Sequence, residues 1–183
     1  MIDKELTMTW KSFHNRGEIL RSVIATANTR RDGRLPMDVE GVTETFGDEL
    51  TLLAALQLKW HTRLAGHIER TLLSQPLDLP AAVTLAWGAA SDELPGVRLL
   101  LDHYRENPLD ADMATAMRKA TIKEHALLAV MAGQASINDE TTAAPVGARL
   151  EESARALHGR APAFVLDDAR PTFLERLRSV LAA

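Results

Sequence analysis

The chain has 183 residues, a formal net charge of −4 and no cysteine. This length suits one domain with a core large enough to fold without metal or disulfide support. The lack of thiols excludes disulfides, iron–sulfur clusters and cysteine zinc sites, and the acidic balance argues against an extended nucleic-acid interface.

Helix formers dominate the composition. Aromatic residues make up only 4%, and no run of β-branched residues alternates with polar ones, so helices are expected throughout. No apolar run approaches the roughly 18 residues that span a bilayer, and the first residues lack the layout of a secretory signal. We predict a cytoplasmic, all-α protein, an irregular multi-helix bundle of about six to eight helices with a C-terminal helical tail.

The first predicted helix runs from about Leu6 to Arg31. Apolar residues recur along it at helical spacing, namely Leu20, Val23, Ile24 and Ala27. The helix should end in the basic segment 30–34, where cations suit the negative end of the helix dipole and Gly33 suits a left-handed cap. A short helix toward Phe46 should follow, with Asp38 as its cap.

The longest run of helix formers is the segment from Gly47 to Gln75. One apolar stripe follows it at i, i+3, i+4, i+7 spacing, and its members are Leu50, Leu53, Leu64, Ile68 and Leu72. The stripe predicts a central helix of the core. Pro76 should end this helix, because proline disfavours helical geometry at the preceding residue.

Three further helices are predicted in the middle of the chain. Two short ones run from about Asp78 to Asp92 and from Val97 to Glu106, separated by a proline turn. A long one follows from about Asp110 to Gln134. Its apolar side carries three methionines among other residues, namely Met113, Met117, Ala120, Leu127, Leu128 and Met131.

The C-terminal part of the chain divides at residues 136–147. This segment is small and polar without periodicity, which predicts a flexible linker between a helical core at 1–135 and a helical tail at 148–183. In the tail, a capping box at 172–175 begins a last helix with an apolar face. An apolar face of this kind is normally buried against another surface, so we expect the tail to dock on the core or on a second subunit.

Polar side chains interrupt the apolar faces of both long helices. His61 and His67 flank the stripe of the central helix, each about 60° from Leu64, and Gln57 lies near its centre. Glu124 falls in the middle of the apolar side of the helix at 110–134. A buried carboxylate is costly unless it is paired or protonated, and the ordinary explanation is an arginine from a neighbouring helix.

A metal site is one hypothesis for these residues. If the two long helices pack antiparallel, His61 or His67 could meet Glu124, with Gln57 and His103 nearby. Imidazole and carboxylate suit a divalent ion such as zinc, iron or manganese. The ligand spacing that marks a metal site within one helix is missing, because His61 and His67 point about 120° apart.

A ligand pocket between helices is a second hypothesis. Its predicted lining combines an amide with aromatic and thioether side chains, namely Gln57, Trp60, Trp87, Met117 and Met131. Methionine stripes are, however, more often adaptable core than ligand surface.

The sequence establishes no reaction. It contains no phosphate loop, dinucleotide fingerprint, hydrolase elbow or zincin motif. We therefore expect a non-catalytic interaction or regulatory module that acts through a protein partner or self-association, with neither membrane nor nucleic acid as a partner. The alternatives are a metal-binding bundle, with or without enzymatic activity, and a small-molecule-binding regulator.

Overall fold

A computed structural model describes residues 2–74, 77–136 and 139–159. Seven α-helices account for most of these residues, and no β-strand occurs within them. The helices are α1 (Ile2–Arg30), α2 (Val42–Phe46), α3 (Glu49–Ser74), α4 (Leu79–Glu93), α5 (Pro95–Glu106), α6 (Ala111–Met131) and α7 (Glu140–His158). The prediction of an all-α multi-helix bundle is confirmed. None of the helices in these ranges combines the length and apolarity needed to cross a membrane.

Helix α3 forms the centre of the core. Its buried side chains repeat at three- and four-residue spacing, so one stripe of the helix is removed from water. They are Leu52, Leu53, Leu56, Trp60, Leu64 and Ile68. The predicted stripe is right for Leu53, Leu64 and Ile68, whereas Leu50 and Leu72 are only partly buried. Each fully buried leucine contributes about 2 kcal/mol to folding.

Two glycines set the closest helix contacts. Helix α7 packs on α6 and α4, and α1 packs on α5. A Cβ added at Gly147 of α7 would overlap the carbonyl group of His125 in α6, and one at Gly96 of α5 would overlap that of Ala27 in α1. Only glycine allows backbones to approach this closely.

Helix α1 ends within one residue of its predicted end, but its cap differs from the prediction. The helix stops at Arg30, and Arg31 adopts a left-handed φ of 48°. Its amide donates a hydrogen bond to the Ala27 carbonyl at 3.0 Å, so Arg31 takes the capping position expected for Gly33. Asp38 does not cap α2, because its carboxylate pairs with the Arg30 guanidinium at 2.7 Å.

The predicted linker at 136–147 is wrong from Glu140 onward, where α7 already begins. Asp139 starts the helix, since its carboxylate accepts a hydrogen bond from the Thr142 amide at 3.1 Å. Pro145 lies inside the helix, although its presence suggests a break. A buried face at helical spacing continues through this region, formed by Ala143, Val146, Leu150 and Ala154.

The C-terminal tail is described only in part. Residues 148–158 are the second half of α7, which packs on the core through α6 and α4. The predicted last helix, with its capping box at 172–175, lies outside the described residues.

Candidate functional site

Glu124 is 3% exposed, inside the bundle as its place on α6 predicts. Its carboxylate accepts hydrogen bonds from the Arg98 guanidinium at 3.2 Å and from the Trp87 indole at 3.3 Å. Arg98 comes from α5, and its guanidinium lies over the Trp60 ring, 4.7 Å from the ring centroid. An arginine from a neighbouring helix therefore compensates this carboxylate.

The Arg98–Glu124 pair belongs to a larger cluster, here called the α5–α7 ion network. Its members are Arg98, Asp102, Arg105, Glu124, Glu151 and Arg155. Asp102 is the hub, because its carboxylate accepts hydrogen bonds from all three guanidinium groups at 2.6 to 3.1 Å. The formal charges cancel, which is a condition for placing ionised groups away from water.

Glu151 of α7 lies at the other end of the network. It accepts hydrogen bonds from His125 at 2.7 Å, from Arg155 at 2.6 Å and from Arg105 at 3.2 Å. Burial raises the pKa of Glu151, but the His125 hydrogen bond and the two guanidinium groups outweigh burial and hold the pKa well below its usual range. The pKa of Asp102 is lowered by guanidinium contacts in the same way, also against burial.

We expect acid to destabilise the fold through these two carboxylates. A carboxylate with a lowered folded-state pKa gives stability that is present above its unfolded pKa and lost as pH falls through the folded value. The melting temperature should therefore fall most steeply below the unfolded values of 4.5 for Glu151 and 3.8 for Asp102. The variant Glu151→Gln should melt lower at neutral pH and lose less stability in acid, as followed by circular dichroism.

The exposed neighbour Glu152 provides the control for this experiment. The variant Glu152→Gln should keep the wild-type dependence of melting temperature on pH. Parallel pH profiles for wild type and Glu151→Gln would contradict the assignment of acid sensitivity to the network.

An open channel, here called the α3–α6 groove, runs along the outer side of these two helices. Two adjoining cavities of about 390 and 130 Å³ fill it. Its walls are formed by Leu50, Leu53, Ala54, Gln57, Leu58, His61, Ala116, Met117, Lys119, Ala120 and Lys123.

The groove also shows the relative direction of its two helices. One end lies at Leu50 and Met117, and the other at His61 and Lys123. Both helices therefore run the same way along it, whereas the metal hypothesis assumed an antiparallel pair. Within the groove the His61 ring lies 3.4 Å from the Gln57 amide.

Among the described residues, those predicted to bind a metal do not form a three-ligand group. Burial lowers the pKa of His61, and the charge of Glu124 partly opposes that shift. His67 instead donates a hydrogen bond to Glu93 at 2.8 Å, and His103 packs against a tyrosine ring on α5. Within the ranges that the structure describes, no three acidic or histidine side chains are placed to hold a metal ion.

The residues predicted to line a ligand pocket do not share one cavity. Gln57 and Met117 line the α3–α6 groove. Trp60 is fully buried, and Trp87 borders a different cleft. Met131 is partly buried against the core. Helical periodicity places side chains on inward faces, but the cavity that each one reaches depends on how the helices pack.

Comparisons with known proteins assign no family to this chain. No protein family, curated protein or solved structure matches the chain.

Proposed function

We propose that this protein is a non-catalytic interaction module that binds an amphipathic helix of a partner protein in the α3–α6 groove, in the cytoplasm. One observation carries the proposal: the groove is open and largely apolar, and its rim holds Lys119 and Lys123. Among the described residues that line it, none is a carboxylate. Recognition of a helix in a groove uses this combination of an apolar floor and a charged rim.

The floor of the groove suits a close helix contact. Ala54, Ala116 and Ala120 carry only methyl groups, so the backbone of a bound helix can approach closely. Leu58 stands at one wall and is 69% exposed, which leaves its side chain available for an apolar contact. At about 1.5 Å per residue, the stretch of α3 along the groove is about 17 Å long, or about three turns of a bound helix.

The rim charges select an acidic partner. Lys119 and Lys123 lie one turn apart on α6, and both are exposed. Opposite charges on a partner helix would steer its approach and fix its register. The apolar segment at 172–181 of this chain carries Arg176 and Arg178 against Glu175, so its charge does not complement the lysine rim.

We expect the variant Leu58→Ser to lose binding without losing stability, because this side chain is already exposed. The probe is a fluorescein-labelled amphipathic peptide of about 14 residues, with leucines on one face and glutamates on the other. Fluorescence anisotropy should show binding to wild type, and binding at least about tenfold weaker to Leu58→Ser and to Lys119→Glu/Lys123→Glu.

Matched variants outside the groove serve as controls. Leu85→Ser removes a leucine on α4 that is 52% exposed, and Arg70→Glu/Arg149→Glu reverses the charge of two exposed arginines. Both should bind the peptide as wild type does. Equal binding of a lysine version of the peptide, or wild-type binding by Leu58→Ser, would overturn the proposal.

Light scattering measures the oligomeric state and so distinguishes self-association of this chain from binding of a partner helix. A dimer that Leu58→Ser converts to a monomer would assign the groove to a second copy of the chain and overturn the partner helix. A dimer that survives Leu58→Ser but is lost when residues 161–183 are removed would leave the groove free for the peptide, whose binding then decides the proposal.

A further inference from the structure

A second cavity, here called the α4–α7 cleft, lies beside the ion network, away from the groove. It has a volume of about 320 Å³ between α4, α5, α7 and the end of α1. Small-molecule sites in proteins typically enclose about 300 to 1,000 Å³. Apolar side chains in its wall include Pro95 and Leu99.

Two residues that line this cleft each have a buried polar atom without a hydrogen-bond partner among the described residues. Ser91 is 5% exposed and Arg98 is 6% exposed. In the part of the chain that the structure describes, neither Ser91 Oγ nor Arg98 Nε has a hydrogen-bond partner. Both residues line the cleft. Buried polar atoms are nearly always paired, so Ser91 and Arg98 are candidate contacts for a bound molecule.

Arg31 brings a further cation to the cleft. Its Nε donates a hydrogen bond to the Asn28 carbonyl at 3.1 Å. Among residues 2–74, 77–136 and 139–159, no carboxylate pairs with its guanidinium. Arg31 also has the left-handed φ of 48° of the α1 cap, a conformation that glycine adopts more readily.

Among the described residues that line the cleft, Arg31 carries the charge that no carboxylate compensates, and this charge favours an anion. Of the described residues in the wall of the cleft, Asp102 is the one acid. Its carboxylate already accepts hydrogen bonds from three guanidinium groups. The arginines in the wall are Arg31, Arg98 and Arg155. The carboxylates of the ion network neutralise the last two, whereas Arg31 has no such partner among the described residues. Guanidinium groups bind carboxylates and phosphates through parallel hydrogen bonds.

We propose that the α4–α7 cleft binds a small organic anion. Arg31, Arg98 and Ser91 hold its carboxylate or phosphate group, and a short apolar or aromatic body packs against Pro95 and Leu99. This site is independent of the α3–α6 groove, so either proposal can fail while the other stands.

Calorimetric titration of the full chain tests the ligand class with three small probes. Benzoate and benzamide are nearly equal in size but differ in charge, and phenyl phosphate replaces the carboxylate with a phosphate. We expect at least one of the two anions to bind at least about tenfold more tightly than benzamide. The anion that binds more tightly shows whether the cleft prefers a carboxylate or a phosphate. Equal binding of benzamide, or no binding of either anion at millimolar concentration, would overturn the proposal.

Two variants test the assigned contacts without damaging the fold. Arg31→Gly removes the guanidinium and suits the left-handed backbone, so the melting temperature should hold or rise while anion affinity falls about tenfold. Ser91→Ala removes an unpaired buried hydroxyl, so it should also keep its melting temperature and bind about threefold or more weakly. The control Arg34→Ala removes an exposed arginine outside the cleft and should bind as wild type. Wild-type affinity in Arg31→Gly would overturn the assignment.

Discussion

Replacing Arg98 with methionine should lower the free energy of unfolding by about 3 to 5 kcal/mol, which is the usual cost of removing one partner of a buried ion pair. Glu124 would then keep only the Trp87 indole as a donor among the described residues. Asp102 would lose one guanidinium but keep those of Arg105 and Arg155. Urea denaturation at neutral pH, followed by circular dichroism, measures the change.

A second substitution separates the lost pair from lost packing. Adding Glu124→Leu to Arg98→Met should recover most of the stability, since apolar replacement of both partners of a buried pair is often nearly neutral. The pair of Arg63 with Glu93 is the control, because its side chains are 44% and 36% exposed at a distance of 3.1 Å. Arg63→Met should cost about 1 kcal/mol or less. Equal costs for the two methionine variants would show that burial of the Arg98 pair does not matter.

The variant Gly147→Ala should lose about 3 kcal/mol, because overpacking a tight contact forces backbone shifts. The added methyl group would overlap the carbonyl of His125 and push α7 away from α6. The same shift would stretch the hydrogen bond between His125 and Glu151, which is 2.7 Å long. Thermal melts of the variant measure the loss.

A glycine without a close neighbour provides the matched control. A Cβ at Gly88 of α4 would meet the His158 ring at 3.5 Å, an ordinary contact distance. Gly88→Ala should therefore stabilise the protein by about 0.5 to 1 kcal/mol, because alanine is the better helix former. If both variants were stabilised, the close approach of α6 and α7 would not limit the size of residue 147.

Helical periodicity predicted most of the fold from the sequence. The apolar stripe of α3 and the inward position of Glu124 follow from spacing alone, and both are found in the structure. Periodicity failed at 140–147, where threonines and Pro145 hide the buried face of α7. The sequence predicts Gly33 as the left-handed cap of α1, because glycine is the usual left-handed residue. Gly33 is left-handed, with a φ of 72°, but Arg31 directly follows the helix and takes the capping position.

The ion network was not predictable in the same way. Asp102 with Arg105, and Glu151 with Arg155, have the spacing of ordinary exposed helix pairs. In the folded chain these side chains are partly or fully buried. The carboxylate of Glu151 comes from α7, whose close packing on α6 depends on Gly147, and helix spacing does not predict that packing. The direction of α3 relative to α6 was also not encoded in either helix, because each apolar stripe fits a parallel or an antiparallel neighbour equally well.

Two consecutive residues of α6 face opposite surroundings. Lys123 lines the open groove, and Glu124 is bonded to Arg98 on the inner side. Rotation of α6 about its axis to accommodate a bound helix would therefore break the contact between Glu124 and Arg98. For the helix that we propose as partner, this wall of the groove is already ordered before binding, which improves affinity by avoiding an entropy cost. We therefore expect the shape and charge of the partner helix, rather than a rotation of α6, to determine which helices the proposed site accepts.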